Sequence, residues 1–103
     1  MTNANGLGGS PEWIQLPSYL PRTDHAAGYD PVSNRMVIYG GYATSQENKN
    51  DVAVLVDANG IGDPRWVALS PTGTLPPARG ANSSAVYDPL SNTLIAFGGR
   101  TWQ

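Results

Sequence analysis

The sequence predicts an all-β protein that is built from repeated units of short antiparallel strands. Three observations favour this fold class. Glycine and proline are abundant, with 12 and 9 residues among 103, which indicates many tight turns. Two stretches of the chain repeat one another, and each carries turn residues followed by a short apolar run. No stretch has the periodicity of an amphipathic helix.

The repeat covers most of the chain. Residues 29–41 match residues 87–99 at a constant offset of 58, from position 29 to position 87. Residues 11–16 resemble residues 64–69 at an offset of 53, from position 11 to position 64. A longer loop rich in Ser, Pro, Thr and Gly in the second copy explains most of the difference between these two offsets. The chain is therefore nearly two copies of one unit of roughly 55 residues.

The first predicted strand of the unit covers residues 26–29, and residues 83–87 in the second copy. Small side chains dominate it, which predicts that another element packs closely against it. Asp-Pro pairs follow at Asp30 and Asp88 and predict a turn, because proline fixes φ and aspartate accepts backbone hydrogen bonds. Asn34 and Asn92 suit a left-handed conformation before the next strand.

The second predicted strand covers residues 36–39, and residues 94–97 in the second copy. It is continuously apolar, so both of its faces are expected to be buried, and a Gly-Gly pair is expected to end it. The third strand is predicted over residues 51–57, where valines alternate. The fourth covers residues 65–69, and residues 12–16 in the other copy.

A four-stranded sheet with two apolar faces cannot bury both of them alone. Sheets of this size that stack radially cover each other and form a β-propeller. The chain resembles the kelch family of β-propellers, which includes galactose oxidase. The resemblance rests on an Arg before the first strand, an apolar strand ending in Gly-Gly, and a Trp about 25 residues later. The matching residues are Arg22, His25, Gly40, Gly41 and Trp66, then Arg79, Gly98 and Gly99.

The resemblance implies one complete blade and two partial ones. Residues 1–18 would end a preceding blade with its outer strand, residues 19–76 would form a complete blade, and residues 77–103 would begin the next. Since repeat arrays normally need three or more units, the open strand edge must be covered in some way. The chain is then a fragment of a longer propeller, a unit that self-associates, or a truncated product that folds poorly.

Composition and charge exclude several function classes. Charged residues make up only 14% of the chain, the net charge is −2, and the basic residues are scattered. Nucleic acid is therefore an unexpected partner. The chain has no cysteine, which excludes disulfides and thiolate metal sites. No apolar run approaches the roughly 20 residues of a membrane span, and the first residues do not resemble a signal peptide. The sequence does not indicate a cellular compartment.

Several residues have both a chemical and a structural interpretation. His25, the single histidine, suits a general base or metal ligand, but the kelch resemblance implies a structural role. Arg22 and Arg79 suit anion binding, or hydrogen bonds to carbonyls between blades. Asp30 and Asp88 resemble paired catalytic carboxylates, but repetition alone places them in matching turns. The structural interpretation is favoured for all of them.

Two other features have both a chemical and a structural interpretation. Residues 57–63 alternate oxygen-bearing side chains as the start of a calcium loop does, but Ile61 interrupts the pattern and no Glu follows. A turn between strands is favoured there, and no metal or cofactor is expected. Trp13 and Trp66 occupy matching strand positions, which favours packing between blades over ligand stacking. Trp102 has no partner in the repeat.

The polar segment after the first Gly-Gly pair is the main candidate for recognition, because loops on a rigid scaffold often carry binding residues. A second candidate is the loop over residues 70–77. The candidate binding residues are Tyr42, Thr44, Gln46, Glu47, Asn48, Lys49 and Trp102.

The sequence therefore predicts a non-catalytic kelch module or fragment that binds a protein or a glycan through its loops. Oligomerisation or a longer parent chain is expected to complete it. The alternative is part of a kelch-fold oxidase or another enzyme whose site lies outside this chain. Galactose oxidase uses copper with His and Tyr ligands and a Cys cross-linked to Tyr, a set that one His and no Cys cannot supply.

Overall fold

The computed structural model describes residues 1–43, 47–78 and 83–99. These ranges contain six strands and no helix, so the predicted all-β class is confirmed. The strands are β1 (Ala26–Asp30), β2 (Arg35–Ala43), β3 (Glu47–Val56), β4 (Arg65–Leu69), β5 (Ser83–Asp88) and β6 (Thr93–Gly98). A search of the described residues finds no helical span suited to crossing a membrane.

The strands form two antiparallel sheets. The first sheet has the order β1-β2-β3-β4, so each strand pairs with the next along the chain. The second sheet contains β5 and β6. The two β hairpins that begin these sheets correspond to each other in the sequence repeat, because β1 pairs with β2 in the same way as β5 pairs with β6.

The turn between β1 and β2 is held by the carboxylate of Asp30. Its Oδ1 accepts a hydrogen bond from the Val32 amide at 3.0 Å, and its Oδ2 accepts one from the Ser33 hydroxyl. Asn34 then takes a positive φ of 55° and accepts a hydrogen bond from the Tyr29 hydroxyl at 3.0 Å. These contacts explain why Asp and Asn occupy the two ends of this turn.

The turn between β5 and β6 has the same construction. Asp88 accepts hydrogen bonds from the Leu90 amide at 3.1 Å and from the Ser91 hydroxyl at 2.6 Å. Asn92 has a φ of 50° and accepts from the Tyr87 hydroxyl at 2.6 Å. The chemistry of the repeated turn is thus reproduced atom by atom in the two hairpins.

The Gly-Gly pair of the first unit lies inside β2, and the prediction that it ends this strand is wrong. Gly40 and Gly41 have φ values of 69° and 102°, and the pairing of β2 with β3 shifts in register between Tyr39 and Gly41. The pair is therefore a β-bulge, after which the strand continues to Ala43. Glycine marks both strand ends and bulges, so the sequence signal alone does not separate them.

The core lies on both faces of the first sheet. Ile38, Ala53 and Leu55 are buried on one face, and Tyr39 and Val54 are buried on the other. Alternate residues of a strand point to opposite faces, so the apolar runs of β2 and β3 serve two separate packing surfaces. Both faces of the predicted second strand are covered in this unit, as its sequence indicates.

The predicted outer strand over residues 12–16 is absent. Glu12 forms an isolated bridge with Thr2, and the rest of the segment has no regular structure. A strand needs a neighbour that accepts and donates its backbone hydrogen bonds, and no described strand runs beside this segment. Its Ile14 and Leu16 side chains instead lie about 3.6 Å from the position that a Cβ would occupy at Gly60.

The two sheets pack against each other through β1 and β5. A Cβ placed at Gly28 of β1 would lie only 2.9 Å from Cβ of Tyr87 and 3.0 Å from Cδ1 of Leu94. Real Cβ atoms do not approach that closely, so the absence of a side chain at Gly28 permits this contact. The close packing expected from the small residues of β1 is present here.

Candidate functional site

Arg22 is a buried side chain that joins three parts of the chain. Its Nη1 and Nη2 donate to the two carboxylate oxygens of Asp51 at 2.7 and 2.8 Å, and Nη1 also donates to the Gly40 carbonyl at 2.9 Å. The Arg22 side chain is only 4% exposed. Hydrogen bonding to Arg22 lowers the pKa of Asp51, and the same pair raises the pKa of Arg22. Arg22 thus ties the segment before β1 to the bulge and to β3.

Trp66 packs against Tyr19, which is also close to Arg22. Its ring stacks on Tyr19 with a centroid distance of 4.8 Å, and its Nε1 donates to the Pro17 carbonyl at 2.8 Å. The Arg22 guanidinium lies 5.6 Å from the Tyr19 ring centroid. Trp66 therefore packs the segment before β1 onto β4. Trp13, at the matching repeat position, is 82% exposed and has no such environment.

His25 is an exposed residue immediately before β1. Its Cβ lies 3.0 Å from the position of a Cβ at Gly41, where the bulge meets the chain entering β1. Thr23 and Tyr42 exchange two backbone hydrogen bonds, of 2.9 and 2.8 Å, at this junction. In the described part of the chain, no group of three or more His, Asp or Glu residues is placed to hold a metal ion.

Much of the predicted recognition loop is strand, which corrects the expectation of a long loop. Tyr42 pairs with Asn48, and Lys49 pairs with Gly41, across β2 and β3. Glu47 is the first residue of β3. The polar composition was taken to indicate a loop. The end of a β hairpin is also exposed to solvent, so a paired strand there can be equally polar. Of the other candidates, Thr44, Gln46, Arg79 and Trp102 lie outside the described residues.

The segment from Asp57 to Asp63 is a turn rather than an open cation loop. Asp57 Oδ2 accepts from the Asp63 amide at 2.9 Å, and Asn59 Oδ1 accepts from the Ile61 amide at 2.9 Å. Asn59 Oδ1 also accepts from the side-chain amide of Asn34 at 2.9 Å. These oxygens are used within the protein, as the interpretation of this segment as a turn anticipates.

The second Gly-Gly pair lies at the end of the hairpin of β5 and β6. The side chains of this hairpin are much more exposed to solvent than those of the first hairpin. Gly98 is the last residue of β6 and has a φ of 79°, and Gly99 has a φ of 91°. Within β6, Ile95 is 56% exposed and Phe97 is 83% exposed, while Val86 of β5 is 66% exposed. The expectation that this strand is buried on both faces is therefore wrong for the second unit.

These three side chains form one surface, which we call the outer face of the second sheet. Val86 is paired with Ile95, and Phe97 lies two residues further along the same side of β6. By the repeat offset they correspond to Gly28, Val37 and Tyr39 of the first sheet. That surface of the first sheet is the one that Tyr87 and Leu94 approach. The equivalent surfaces are thus covered in one unit and open in the other.

A cleft of about 580 Å³ lies between β6 and the first sheet. Its walls are the face of the first sheet at Tyr39 and Val52, the loop over residues 71–76, and β6 from Leu94 to Gly98. All of its lining residues are uncharged. Tyr39 is 6% exposed, yet its hydroxyl has no hydrogen-bond partner among the described residues. Sequence reasoning missed this cleft, because its walls come from distant parts of the chain.

A second cleft, of about 530 Å³, lies at the turn end of the two hairpins. It is lined by the polar side chains of Asp30, Arg35, Tyr87 and Asn92, among others. Hydrogen bonding to Ser33 lowers the pKa of Asp30. Desolvation, reinforced by the Asp30 charge, raises the pKa of Tyr87. Asp30 and Asp88 each accept hydrogen bonds within their own turn.

Comparison with known proteins gives one informative similarity. No family model matches the chain. The chain is 33% identical over 79 residues to the dynein regulatory complex subunit 7 of Chlamydomonas reinhardtii. That match includes 77% of this chain but only 6% of the length of the relative.

Proposed function

We propose that this chain is a kelch-type propeller segment with a non-catalytic, protein-binding role. In this proposal the first sheet is one complete blade, the second sheet is the inner half of the next, and residues 1–18 end a preceding one. Further blades complete the arrangement, either from copies of this chain or from a longer polypeptide. The arrangement of four consecutive antiparallel strands that face a second hairpin of the same sequence type supports it.

The observation that carries the binding role is the exposed outer face of the second sheet. Val86, Ile95 and Phe97 present apolar side chains to solvent, whereas the equivalent surface of the first sheet is covered by the second sheet. Contiguous exposed apolar side chains on a sheet favour association with another protein. The name of the Chlamydomonas relative describes a subunit of a complex, which agrees with a role among protein partners.

The loop contribution to binding shifts to residues 70–77 in this proposal. Tyr42, Asn48 and Lys49 belong to paired strands, whereas residues 71–76 line the cleft beside β6. A glycan partner stays a prediction from sequence, and a glycan array with the purified chain tests it.

The solution mass of the purified chain, measured by light scattering after gel filtration, tests the proposal. We expect a defined species of a few chains for the native sequence. Ile95→Arg places a charge on the outer face and is expected to give a monomer. Val32→Arg is the matched control, since Val32 is 88% exposed in a turn outside this face. A native monomer, or an Ile95→Arg variant with the native mass, would contradict self-association through this face.

A further inference from the structure

We propose that Asn5 is a site of spontaneous deamidation, and that the matching residue Asn59 is protected from the same reaction by Asn34. The site lies outside the cleft at β6 and the outer face of the second sheet, so it does not depend on the proposed function. The support comes from the pairing of Asn with Gly, the geometry of two matching turns, the contacts of Asn34 and the space around Gly6.

The chain contains two Asn-Gly pairs, at positions 5–6 and 59–60, and each of them follows an alanine. Asparagine is a thermolabile residue, because its side-chain amide can be attacked by the backbone nitrogen of the next residue. Glycine at that next position hinders the attack least, since it has no Cβ and the greatest backbone freedom. The two pairs therefore have similar reactivity in an unfolded chain, and a difference between them must come from the folded structure.

The reaction proceeds through a ring closure. The nitrogen of Gly6 bonds to Cγ of Asn5, and the bond between Cγ and the side-chain nitrogen breaks. The proton that the Gly6 nitrogen gives up is balanced by the proton that the departing nitrogen takes up, so ammonia leaves and a succinimide remains. Water then opens this ring at either carbonyl and gives aspartate or isoaspartate. Water is the only co-reactant, and no atom is oxidised or reduced.

The two Asn-Gly pairs lie in turns of the same construction. Asn3 and Asp57, which begin these turns, have φ values of 50° and 52°, and Gly6 and Gly60 have φ values of 77° and 88°. In each turn the glycine nitrogen donates to the carbonyl three residues earlier at 3.0 Å. The asparagine Oδ1 in each turn accepts from the amide two residues later at 2.9 Å. The obstacle that these contacts present to ring closure is therefore common to both sites.

Asn34 adds contacts at the second turn alone. Its Nδ2 donates to Oδ1 of Asn59 at 2.9 Å, its Oδ1 accepts from the Asn59 amide at 3.0 Å, and its carbonyl accepts from the Ala58 amide at 3.0 Å. Ring closure requires the Asn59 side chain to turn toward the next nitrogen, which breaks the first of these bonds. In the described part of the chain, the Asn5 side chain accepts only the hydrogen bond within its own turn.

The space around the two glycines differs in the same sense. A Cβ placed at Gly6 would have no neighbouring atom within 4 Å, whereas one placed at Gly60 would lie 3.6 Å from both Ile14 and Leu16. The turn at Gly6 can therefore rearrange without displacing a side chain. Asn5 and Gly6 are also exposed, so water reaches the ring that forms there.

The modification has a structural consequence close to the site. Isoaspartate places an additional carbon in the backbone between positions 5 and 6, which does not fit the turn that Gly6 closes on Asn3. This turn lies within the loop closed by the backbone hydrogen bonds between Thr2 and Glu12, of 2.9 and 3.3 Å. The isoaspartyl product should therefore lose this bridge while the two sheets stay intact.

Mass spectrometry of the full chain, incubated in mildly alkaline buffer, tests the proposal. Trypsin separates the two sites, because it releases residues 1–22 and residues 50–65 as different peptides. In the folded chain Asn5 should deamidate at least about tenfold faster than Asn59, since an additional hydrogen bond must break at Asn59. In concentrated urea the two rates should agree within about twofold. Equal rates in the folded chain, or a difference that persists in urea, would overturn the proposal.

Asn34→Gly tests the protection directly, because glycine accepts the φ of 55° at this position and removes both side-chain contacts to Asn59. The rate at Asn59 should rise at least about fivefold, while the rate at Asn5 should stay within about twofold of the native value. Asn92→Gly is the matched control, since Asn92 has the same turn position but contacts Tyr87 instead. An unchanged rate at Asn59 in Asn34→Gly, or an equal rise in Asn92→Gly, would contradict protection by Asn34.

The isoaspartyl product gives a second readout. An isoaspartyl methyltransferase with labelled S-adenosylmethionine esterifies the free α-carboxylate of isoaspartate, so the peptide of residues 1–22 should become labelled. Gly6→Ala should reduce this label at least about tenfold, because a Cβ hinders the attacking nitrogen. Gly73→Ala, which also adds a methyl group at a positive φ in open space, should leave it unchanged. The labelled form should show faster hydrogen exchange at the Glu12 amide. An unlabelled native chain, or equal labelling of the native chain and Gly6→Ala, would refute the site.

Discussion

Arg22 and Asp51 meet through two nearly parallel hydrogen bonds of 2.7 and 2.8 Å, although 29 positions separate them in the chain. The guanidinium also reaches the Gly40 carbonyl. One side chain therefore joins the segment before β1, the bulge of β2 and the first half of β3. Bidentate geometry of this kind requires arginine, since a lysine ammonium is a point donor.

Arg22→Lys should destabilise the chain by about 1.5–3 kcal/mol, because charged hydrogen bonds to Asp51 are lost and the buried carbonyl of Gly40 loses its donor. Urea denaturation followed by tryptophan fluorescence measures the change. Arg65→Lys is the matched control. The Arg65 side chain is 55% exposed and lies 3.6 Å from Asp63, so that variant should change stability by less than about 0.5 kcal/mol. Equal losses in both variants would contradict a special role for Arg22.

Acid should remove the contribution of the same pair. The pKa of Asp51 is lowered in the folded state, chiefly by hydrogen bonding to Arg22. A lowered carboxyl pKa stabilises the fold above the unfolded pKa of about 3.9, and this stabilisation disappears as the pH falls through the folded value. The stability difference between the native chain and Asp51→Asn should therefore be constant from pH 7 to about pH 5 and shrink below about pH 4. A difference that persists at low pH would show that the charge of Asp51 is irrelevant.

Gly41→Ala should be strongly destabilising. Gly41 has a φ of 102°, and a Cβ there would lie 2.8 Å from the Thr23 carbonyl oxygen. Gly73 provides a close control, because its φ is 100° and a Cβ placed there would have no neighbouring atom within 4 Å. Gly73→Ala carries the backbone strain alone, at about 1–2 kcal/mol, while Gly41→Ala should cost at least about 1 kcal/mol more. Thermal unfolding of the two variants gives the comparison.

Gly28→Ala tests the contact between the two sheets. The added methyl group would collide with Tyr87 and Leu94, so the sheets must separate, with a loss of about 1–3 kcal/mol. Ala27→Ser changes the neighbouring exposed residue and should be nearly neutral. Chemical shifts of Tyr87 and Leu94 should move in Gly28→Ala and stay constant in Ala27→Ser. A neutral Gly28→Ala variant would contradict the close approach of β1 and β5.

Local turn chemistry made the hairpins predictable. Asp30 and Asn34, with their counterparts Asp88 and Asn92, make the contacts that their positions indicate. Such contacts form within a few residues, so they can be inferred from a short stretch of sequence. The all-β class follows from these turns together with the apolar runs between them.

Features that depend on distant partners were not predictable in the same way. Trp13 and Trp66 occupy equivalent repeat positions, yet only Trp66 has Tyr19 to stack on. Residues 12–16 resemble β4 in sequence but lack a strand beside them. The cleft at Tyr39 combines β2, β3, β6 and a loop, and no local pattern reports that assembly.

The close approach at Gly28 also makes the two copies of the repeat sterically unequal. The corresponding position in the second unit is Val86, which carries a side chain on the outer face where Gly28 carries none. A neighbour that stacked on the second sheet would therefore stand further away than the second sheet stands from the first. A chain with the second unit in place of the first would carry valine at the position of Gly28, where Tyr87 and Leu94 leave no room for a side chain.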